Sequence, residues 1–485
     1  MSLSPTDSSP FYPPEERIRA LLPLALVSIA ATLNSSVINV SLPVISAELN
    51  ADIGVVDWVV QAYLLAVTAL LMISGRLGDL YGRRRIYQFG IIIFTASSAL
   101  CGFADSVEVL IAYRVLQGIG AALIVSVGPA LIGTVFPPNQ RGKALGILGT
   151  TVSVGLSIGP AVGGIITDFL GWRYIFFVNI PFGILAAWLV IRNLKPDTVF
   201  KKTGFDISGG FTLAGSLFCL LMMLSRGNEW GWSSPQILVL LGGTILFPIL
   251  FTVIEKRSPE PIFELSIFQN RTFSSATIAG FLAFSSLFTQ TFLLPFYLIQ
   301  LRGFQAAQAG LFLMAVPSVM AVVAPTSGAL SDKIGTRGLC VAGLFIQGIS
   351  FVMLAMLGTA TSSGFIVAAL LMTGLGIGMF NPPNNSDLLS SVPHERLGNA
   401  SGMLGLTRTL GMAFGVALSS VIFTSVKSLP LVDNRGDELA SASAFVIALH
   451  WVFLVGAGLA WLGMIAVLLR GKERREPLEK PIIVD

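Results

Sequence analysis

Long apolar runs separated by short polar stretches recur from residue 20 to residue 469. The hydrocarbon core of a bilayer takes about 20 residues of α-helix, so each run reads as a membrane-spanning helix. About fourteen windows of that length fit the chain. Six lie at 20–43, 55–75, 86–104, 109–135, 143–167 and 173–193, and a central pair at 206–225 and 235–254. Six more lie at 273–299, 306–330, 338–358, 364–386, 398–424 and 441–469. Gly and Pro inside these runs suit membrane helices better than soluble ones. The pattern predicts an all-α polytopic membrane protein. It divides into an N-terminal tail (1–19), a six-helix bundle (20–193), an inserted helix pair with its linkers (194–271), a second six-helix bundle (272–469) and a C-terminal tail (470–485).

Composition agrees with that division. Of 485 residues 54% are hydrophobic and 12% charged, against about 25% charged in a soluble chain. The net charge of +4 matters less than its placement. With the N-terminus inside, the inner loops collect Arg76, Arg83 to Arg85, Arg141, Lys143, Arg192, Lys195, Lys201, Lys202, Lys256, Arg257, Arg271, Lys333 and Arg337, as well as the basic tail. The outer loops hold Arg173, Arg226, Arg302, Lys427 and Arg435. Alternation of this kind is what the positive-inside rule requires, and it predicts a multi-pass protein of the cell membrane with both termini cytoplasmic. Residues 1–19 are polar and Pro-rich, and the first apolar run is long enough to remain a span, so no cleavable signal is expected. Cys101, Cys219 and Cys340 are scattered through apolar segments and offer no disulfide or metal spacing.

The two bundles repeat one another. Gly75-Arg-Leu-Gly-Asp-Leu-Tyr-Gly-Arg-Arg84 matches Gly328-Ala-Leu-Ser-Asp-Lys-Ile-Gly-Thr-Arg337, pairing Gly75/Gly328, Asp79/Asp332, Gly82/Gly335 and Arg84/Arg337 at an offset of 253 residues. Gly142, Ala144, Gly146, Gly149, Gly155 and Gly159 pair with Gly398, Ala400, Gly402, Gly405, Gly411 and Gly415 at an offset of 256. Parallel six-span repeats are one of the known transporter architectures.

The loop Gly75–Arg85, "GRLGDLYGRRR", resembles the signature between the second and third helices of the major facilitator superfamily. Tyr113–Ala122 resembles its fourth-helix motif, and Gly155–Gly164 its fifth-helix antiporter motif. Fourteen spans, with "LNSSVINVSLPVI" (33–45), "GFDISG" (204–209) and "PHERLGNASG" (393–402), are similar to the drug/proton antiporter branch of Qac- and Emr-type multidrug exporters. The resemblance implies a major facilitator fold. It implies an inner gate at Gly75, Asp79, Gly82, Arg83, Arg84, Asp332 and Arg337, and proton coupling through Arg114. The face of Gly155, Gly159, Pro160 and Gly163 is expected to meet a helix of the other half. Branch members carry an acid at the position of Asn34, and some carry one near Gln61; both are amides here, which hydrogen-bond but carry no proton. The carboxylates that remain are Asp57, Asp105 and Asp168 toward the outer ends, and Asp387 toward an inner end. Asp387, in the helix-breaking stretch Asn381–Asp387, is the second candidate for proton coupling.

Physical reasoning adds the substrate pathway. Arg114 and Arg408 fall inside spans, where an arginine costs about 2.5–3.5 kcal/mol and needs a cavity, a polar partner or a snorkelling route. Asn34, Asn39, Gln61, Gln117, Gln290 and Asn381 are candidate polar contacts. Phe284, Phe288, Phe292 and Phe296 recur every four residues and form one stripe, with Tyr297 beside it. The stripe reads either as lipid-facing or interhelical packing, or as an aromatic wall for substrate. His450 reads as a packed histidine. A mostly apolar pocket suits hydrophobic or amphipathic molecules. No Walker loop, triad or metal spacing is present, so neither an enzyme nor a cofactor is expected, and a proton gradient is the expected energy source. A monomer in lipid, with no nucleic-acid partner, is expected. The leading expectation is proton-coupled export by alternating access. The rivals are an uncoupled facilitator or amphiphile flippase, and a non-transporting membrane sensor.

Overall fold

A computed structural model describes residues 12–196, 207–257, 265–392, 397–427 and 438–470. The first half comprises α1 (Pro14–Glu48), α2 (Ile53–Tyr81), α3 (Arg83–Gly102), α4 (Val107–Val135), α5 (Pro138–Phe169), α6 (Tyr174–Phe177) and α7 (Asn179–Asn193). The insert is α8 (Ile207–Trp230) and α9 (Pro235–Arg257). After a 3-10 turn, Leu265–Gln269, the second half holds α10 (Arg271–Phe296) with a π-turn, Tyr297–Leu301. It continues with α11 (Ala306–Leu313), α12 (Ala315–Ile334), α13 (Thr336–Leu354), α14 (Ser363–Ser390), α15 (Leu397–Lys427) and α16 (Glu438–Leu468). Helix α1 starts six residues before the expected span, because Pro14 suits a first turn and Glu15 and Glu16 complement the N-terminal dipole.

Twelve helical stretches among the described residues are long and apolar enough to cross a bilayer. The two expected spans outside that set are α3 and α5. Helix α3 opens with Arg83, Arg84 and Arg85, and in α5 the apolar stretch shortens to Val154–Phe169. The charge in the first turn of α3 takes positions that a fully apolar span would use. The stretch Asn381–Asp387 does not break its helix: α14 runs unbroken through Pro382 and Pro383 to Ser390. Membrane helices tolerate proline where neighbours satisfy the freed backbone groups.

The halves are built alike. Helix α1 lies along α5 as α10 lies along α15, and α2 and α3 pack on α4 as α12 and α13 pack on α14. Backbone detail repeats too. Gly82, at φ 102°, joins α2 to α3, and Gly335, at φ 92°, joins α12 to α13, a conformation that L side chains rarely adopt. The halves meet along two equivalent seams, α2 against α15 and α5 against α11. The insert straddles the first seam, since α8 touches both α2 and α15. In α9 6% of the apolar window is buried, against 78% for Arg271–Leu301, so α9 turns its side chains outward, to hydrocarbon in a bilayer.

Candidate functional site

Side chains from five helices of the first half converge on a buried polar network. Arg114 of α4 is wholly buried; its Nε donates to the Val59 carbonyl of α2 at 2.8 Å, and its guanidinium lies 4.2 Å from the Tyr63 ring centroid. A second guanidinium nitrogen donates to Gln117 Oε1, one turn on. Gln117 Nε2 donates in turn to Ser98 Oγ of α3 at 2.7 Å and to Asn34 Oδ1 of α1 at 3.4 Å. Asn179 of α7 donates to the same Asn34 oxygen at 3.0 Å. Arg114 thus has polar and aromatic partners and does not reach for the interface. Asn34 Nδ2, Asn179 Oδ1 and one Arg114 guanidinium nitrogen are buried without a protein partner. Atoms in that condition lose hydration without compensation, and each needs an explanation.

The second half repeats part of this network 256 residues on. Gln290 stands where Asn34 does, Thr373 where Gln117 does, and Thr373 Oγ1 donates to Gln290 Oε1 at 2.9 Å. Ser350 joins Thr373 at 2.9 Å, and Gln347 donates to the Ala283 carbonyl at 3.1 Å. The counterpart of Arg114 is Leu370, also buried.

A separate cluster stands at the α2/α15 seam. Asp57 is buried, its Oδ2 accepts from Gln61 Nε2 at 2.7 Å, and Ser225 of α8 lies 3.4 Å from the same oxygen. Beside it, α2, α4, α8 and α9 line an open apolar pocket of about 580 Å³ that includes Trp58, Ala66, Val115, Phe211, Phe218 and Phe247.

The loop motif ties helices within one half. Asp79 Oδ1 accepts from Arg83 at 3.0 and 2.8 Å, and Arg83 also donates to the Ala130 carbonyl of α4. A Cβ on Gly75 would meet Ser126 at 2.9 Å, so a small residue there lets α2 approach α4. Arg84 donates to the Ile191 carbonyl at the end of α7 at 2.9 Å, and Arg337 does the same to Leu468 at the end of α16 at 2.6 Å. The matched arginines therefore perform one task, each capping the last helix of its half. Asp332 is exposed, and the residue four positions on is Thr336 rather than an arginine.

The expectation for the fifth helix holds at Pro160 and changes at the three glycines. The face of Gly155, Gly159 and Gly163 packs on Thr32, Ser36 and Val37 of α1, in its own half. The contact with the other half falls to the adjoining face: Pro160 and Gly164 approach Gly310 and Ala306 of α11 so closely that a Cβ on either glycine would come within 2.2 Å of backbone. Helices four residues apart in repeat present two small-residue stripes here, and spacing does not tell which half each one meets. Asp168 completes this contact, accepting the Ala306 and Ala307 N–H groups at 3.0 and 2.7 Å.

The remaining candidates are dispersed. Asp387 pairs with Arg470 and accepts from Thr336 at 2.8 Å, joining α13, α14 and the end of α16. Tyr297 donates to the Gly358 carbonyl at 2.7 Å, away from both networks, with Arg302 on its hydroxyl at 3.1 Å. Phe292 and Phe296 are fully buried, with ring centroids 5.6 Å apart, and Phe284 is nearly so, which removes a lipid-facing reading of the stripe. Arg408 lies over the Phe284 ring at 5.3 Å. Asn39 donates to the Ser35 carbonyl of its own helix, Asn381 is half-buried, and His450 bonds the Leu357 carbonyl. Sequence reasoning passed over Ser98, Asn179, Ser225 and Thr373. Asn179, the one polar residue in the run Ile175–Phe182, was the most visible of them.

The profile of the Major Facilitator Superfamily matches residues 24–416, and the chain belongs to that family of transporters. It is 34% identical over 436 residues to the riboflavin transporter RibZ of Clostridioides difficile, covering 90% of this chain and 93% of that one. It is 31% identical to the multidrug transporter protein MdtP of Bacillus subtilis, over 88% of this chain and 80% of the relative. The multidrug export protein EmrB of Haemophilus influenzae is 30% identical, over 83% and 79%. The fold resembles a peptide transporter POT crystallised with sulfate (TM-score 0.67, 16% identity, 93% and 96% covered). It also resembles a bacterial homologue of the lysosomal transporter Spinster in an inward-facing state (TM-score 0.67, 16% identity, 96% and 100% covered).

Proposed function

We propose that this protein is a secondary active transporter that exports hydrophobic or amphipathic compounds in exchange for protons, by alternating access. The observation that carries the reading is a pair of equivalent six-helix halves meeting at two seams, with buried, incompletely paired polar groups set between them and in the first half. In this reading α3 and α5 also cross the membrane, giving fourteen spans with both termini cytoplasmic. Rocking of the halves opens the site to each side in turn. The Asp168 contact closes the outer end, and the inner gate includes Asp79. Arg114 is the coupling centre of the first half: its guanidinium polarises Gln117 and, through it, Asn34. A charge crossing the membrane potential supplies about 2.3 kcal/mol per 100 mV, enough to bias such a cycle. The multidrug relatives support the substrate class.

A second reading, transport of a planar heteroaromatic of the flavin kind, is favoured by the riboflavin transporter among the relatives. One experiment separates the two. Proteoliposomes with an imposed pH gradient are given ethidium or riboflavin, with and without a protonophore. Uphill ethidium movement abolished by protonophore is the expected result. Movement of riboflavin alone selects the second reading, and equilibration of either probe that ignores the gradient refutes proton coupling.

A further inference from the structure

Among the described carboxylates within the spans Asp57, Glu255 of α9 and Asp387 are buried, and of these Asp57 lies where α2 meets α15. It is 0% exposed, while Asp387 is held by Arg470 and Asp79 by Arg83. Around Asp57 the direct hydrogen-bond partners are an amide, Gln61, and a hydroxyl, Ser225, both on Oδ2, while Oδ1 has none. Ser420 of α15 faces the same carboxylate. Three parts of the molecule therefore close over one acid: α2 from the first half, α15 from the second and α8 from the insert.

The charged groups on the surrounding helices are otherwise engaged. Arg226 of α8 is the exception: it pairs with Glu229 and also lies close enough for its positive charge to act on Asp57. Arg114 of α4 is turned to Val59, Tyr63 and Gln117. Arg408 of α15 lies over Phe284, and Lys427 is exposed at the end of that helix. On α1, Glu48 is held by Trp172 and Arg173, and Glu108 of α4 is exposed. The arginines of α3, Arg83 to Arg85, lie at the other end of α2, with Asp79. Arginine does not titrate in the accessible range, so Asp57 is the acid at the seam able to change its charge there.

We propose that Asp57 is a proton-binding residue of the transport cycle, sealed by the inserted helix α8: it takes up a proton when the α2/α15 seam closes and releases it when the seam parts. The step is a simple protonation. A solvent proton adds to the unpartnered Oδ1, the negative charge disappears, and the neutral acid can be covered. An ionised carboxylate with an amide and a hydroxyl as its direct partners resists that burial. Water admitted when the halves rock apart restores the charged form. The insert thus has a task in this protein: it completes the cover over the acid. The inference rests on alternating access as proposed above.

The test reads the seam without needing a substrate. A Cβ built on Gly54 lies 3.7 Å from Thr424 Cγ2 across the α2/α15 contact, so a Gly54→Cys/Thr424→Cys pair reports closure by disulfide formation. Cys101, Cys219 and Cys340 are replaced by Ala. The cross-linking rate is measured in detergent-purified protein at about pH 5 and about pH 9, with thiolate fraction normalised by free-thiol labelling. Expected is closure at least about threefold more frequent at low pH with Asp57 present, and high closure at both values in Asp57→Asn. Asp57→Glu, which keeps the acid, retains the pH dependence and serves if the amide variant does not fold. The same pH dependence in Asp57→Asn as in the parent, its absence from the parent, or its loss in a folded Asp57→Glu overturns the proposal. Gradient-insensitive transport with an intact cross-linking profile refutes proton-driven export while leaving Asp57 as a pH-controlled gate, so the two failures are distinguishable.

Discussion

The two halves share a plan and differ in chemistry. Asn34 and Gln117 in the first are answered by Gln290 and Thr373 in the second, at the same offset and in the same hydrogen-bonded relation. Yet Arg114 is answered by Leu370, and Asp57 lies at only one of the two equivalent seams. At the other seam a different acid, Asp168, caps the start of α11 from the opposite half; its counterpart by register, Thr424, lies beside Gly54. The scaffold is present twice, while the buried arginine of the polar network and the acid at the α2/α15 seam each occur in the first half without a counterpart by register. A transporter needs symmetric seams to rock, but a cation or an acid within a span costs energy wherever it stands. For the proton exchange proposed above one coupling centre suffices, and a second would add cost.

That contrast can be broken most sharply at the Arg114/Leu370 pair. Arg114→Met is expected to reduce gradient-driven transport in vesicles to background, whereas Leu370→Met should leave transport intact and cost less than about 1.5 kcal/mol of stability. Equal losses from both would remove the functional asymmetry. The shared scaffold predicts the opposite pattern at the turns. Gly82→Ala and Gly335→Ala should each cost about 1–3 kcal/mol, because both impose a side chain on positive φ, and thermal melts should shift alike in the two variants.

The seams come next. Asp168→Ala removes a cap from α11 and is expected to cost about 0.5–2 kcal/mol, with faster hydrogen exchange at Ala306 and Ala307. Thr424→Ala should leave exchange in the first turn of α2 nearly unchanged. The smallest effect is expected at the helix-end contacts. Arg84→Met and Arg337→Met should each lower stability by about 0.5–1.5 kcal/mol and add in the double variant, since they act on separate halves.

The sequence by itself determined much of this protein. Twelve of the fourteen expected spans were legible among the described residues because a helix in hydrocarbon must satisfy its own backbone and show an apolar exterior, which leaves a continuous record along the chain. The matched loops at Gly75–Arg84 and Gly328–Arg337 were legible as turns for a similar reason: their glycines and arginines act on local turns and on adjacent helix ends. Gly82 with Gly335, and Arg84 with Arg337, behave as the matched motifs imply. What only the tertiary structure decided is which helix each small or polar face meets. Gly155, Gly159 and Gly163 pack on α1 of their own half and not on the other half, since close packing demands small residues without naming the neighbour. Asp387, conspicuous in its polar stretch, is tied to Arg470, 83 residues away in sequence. Asp57 drew little notice in its apolar run, and only the convergence of α2, α8 and α15 shows a carboxylate sealed by three parts of the molecule. Periodicity records the burial that a single helix requires, whereas partnership between distant helices depends on their relative placement in three dimensions.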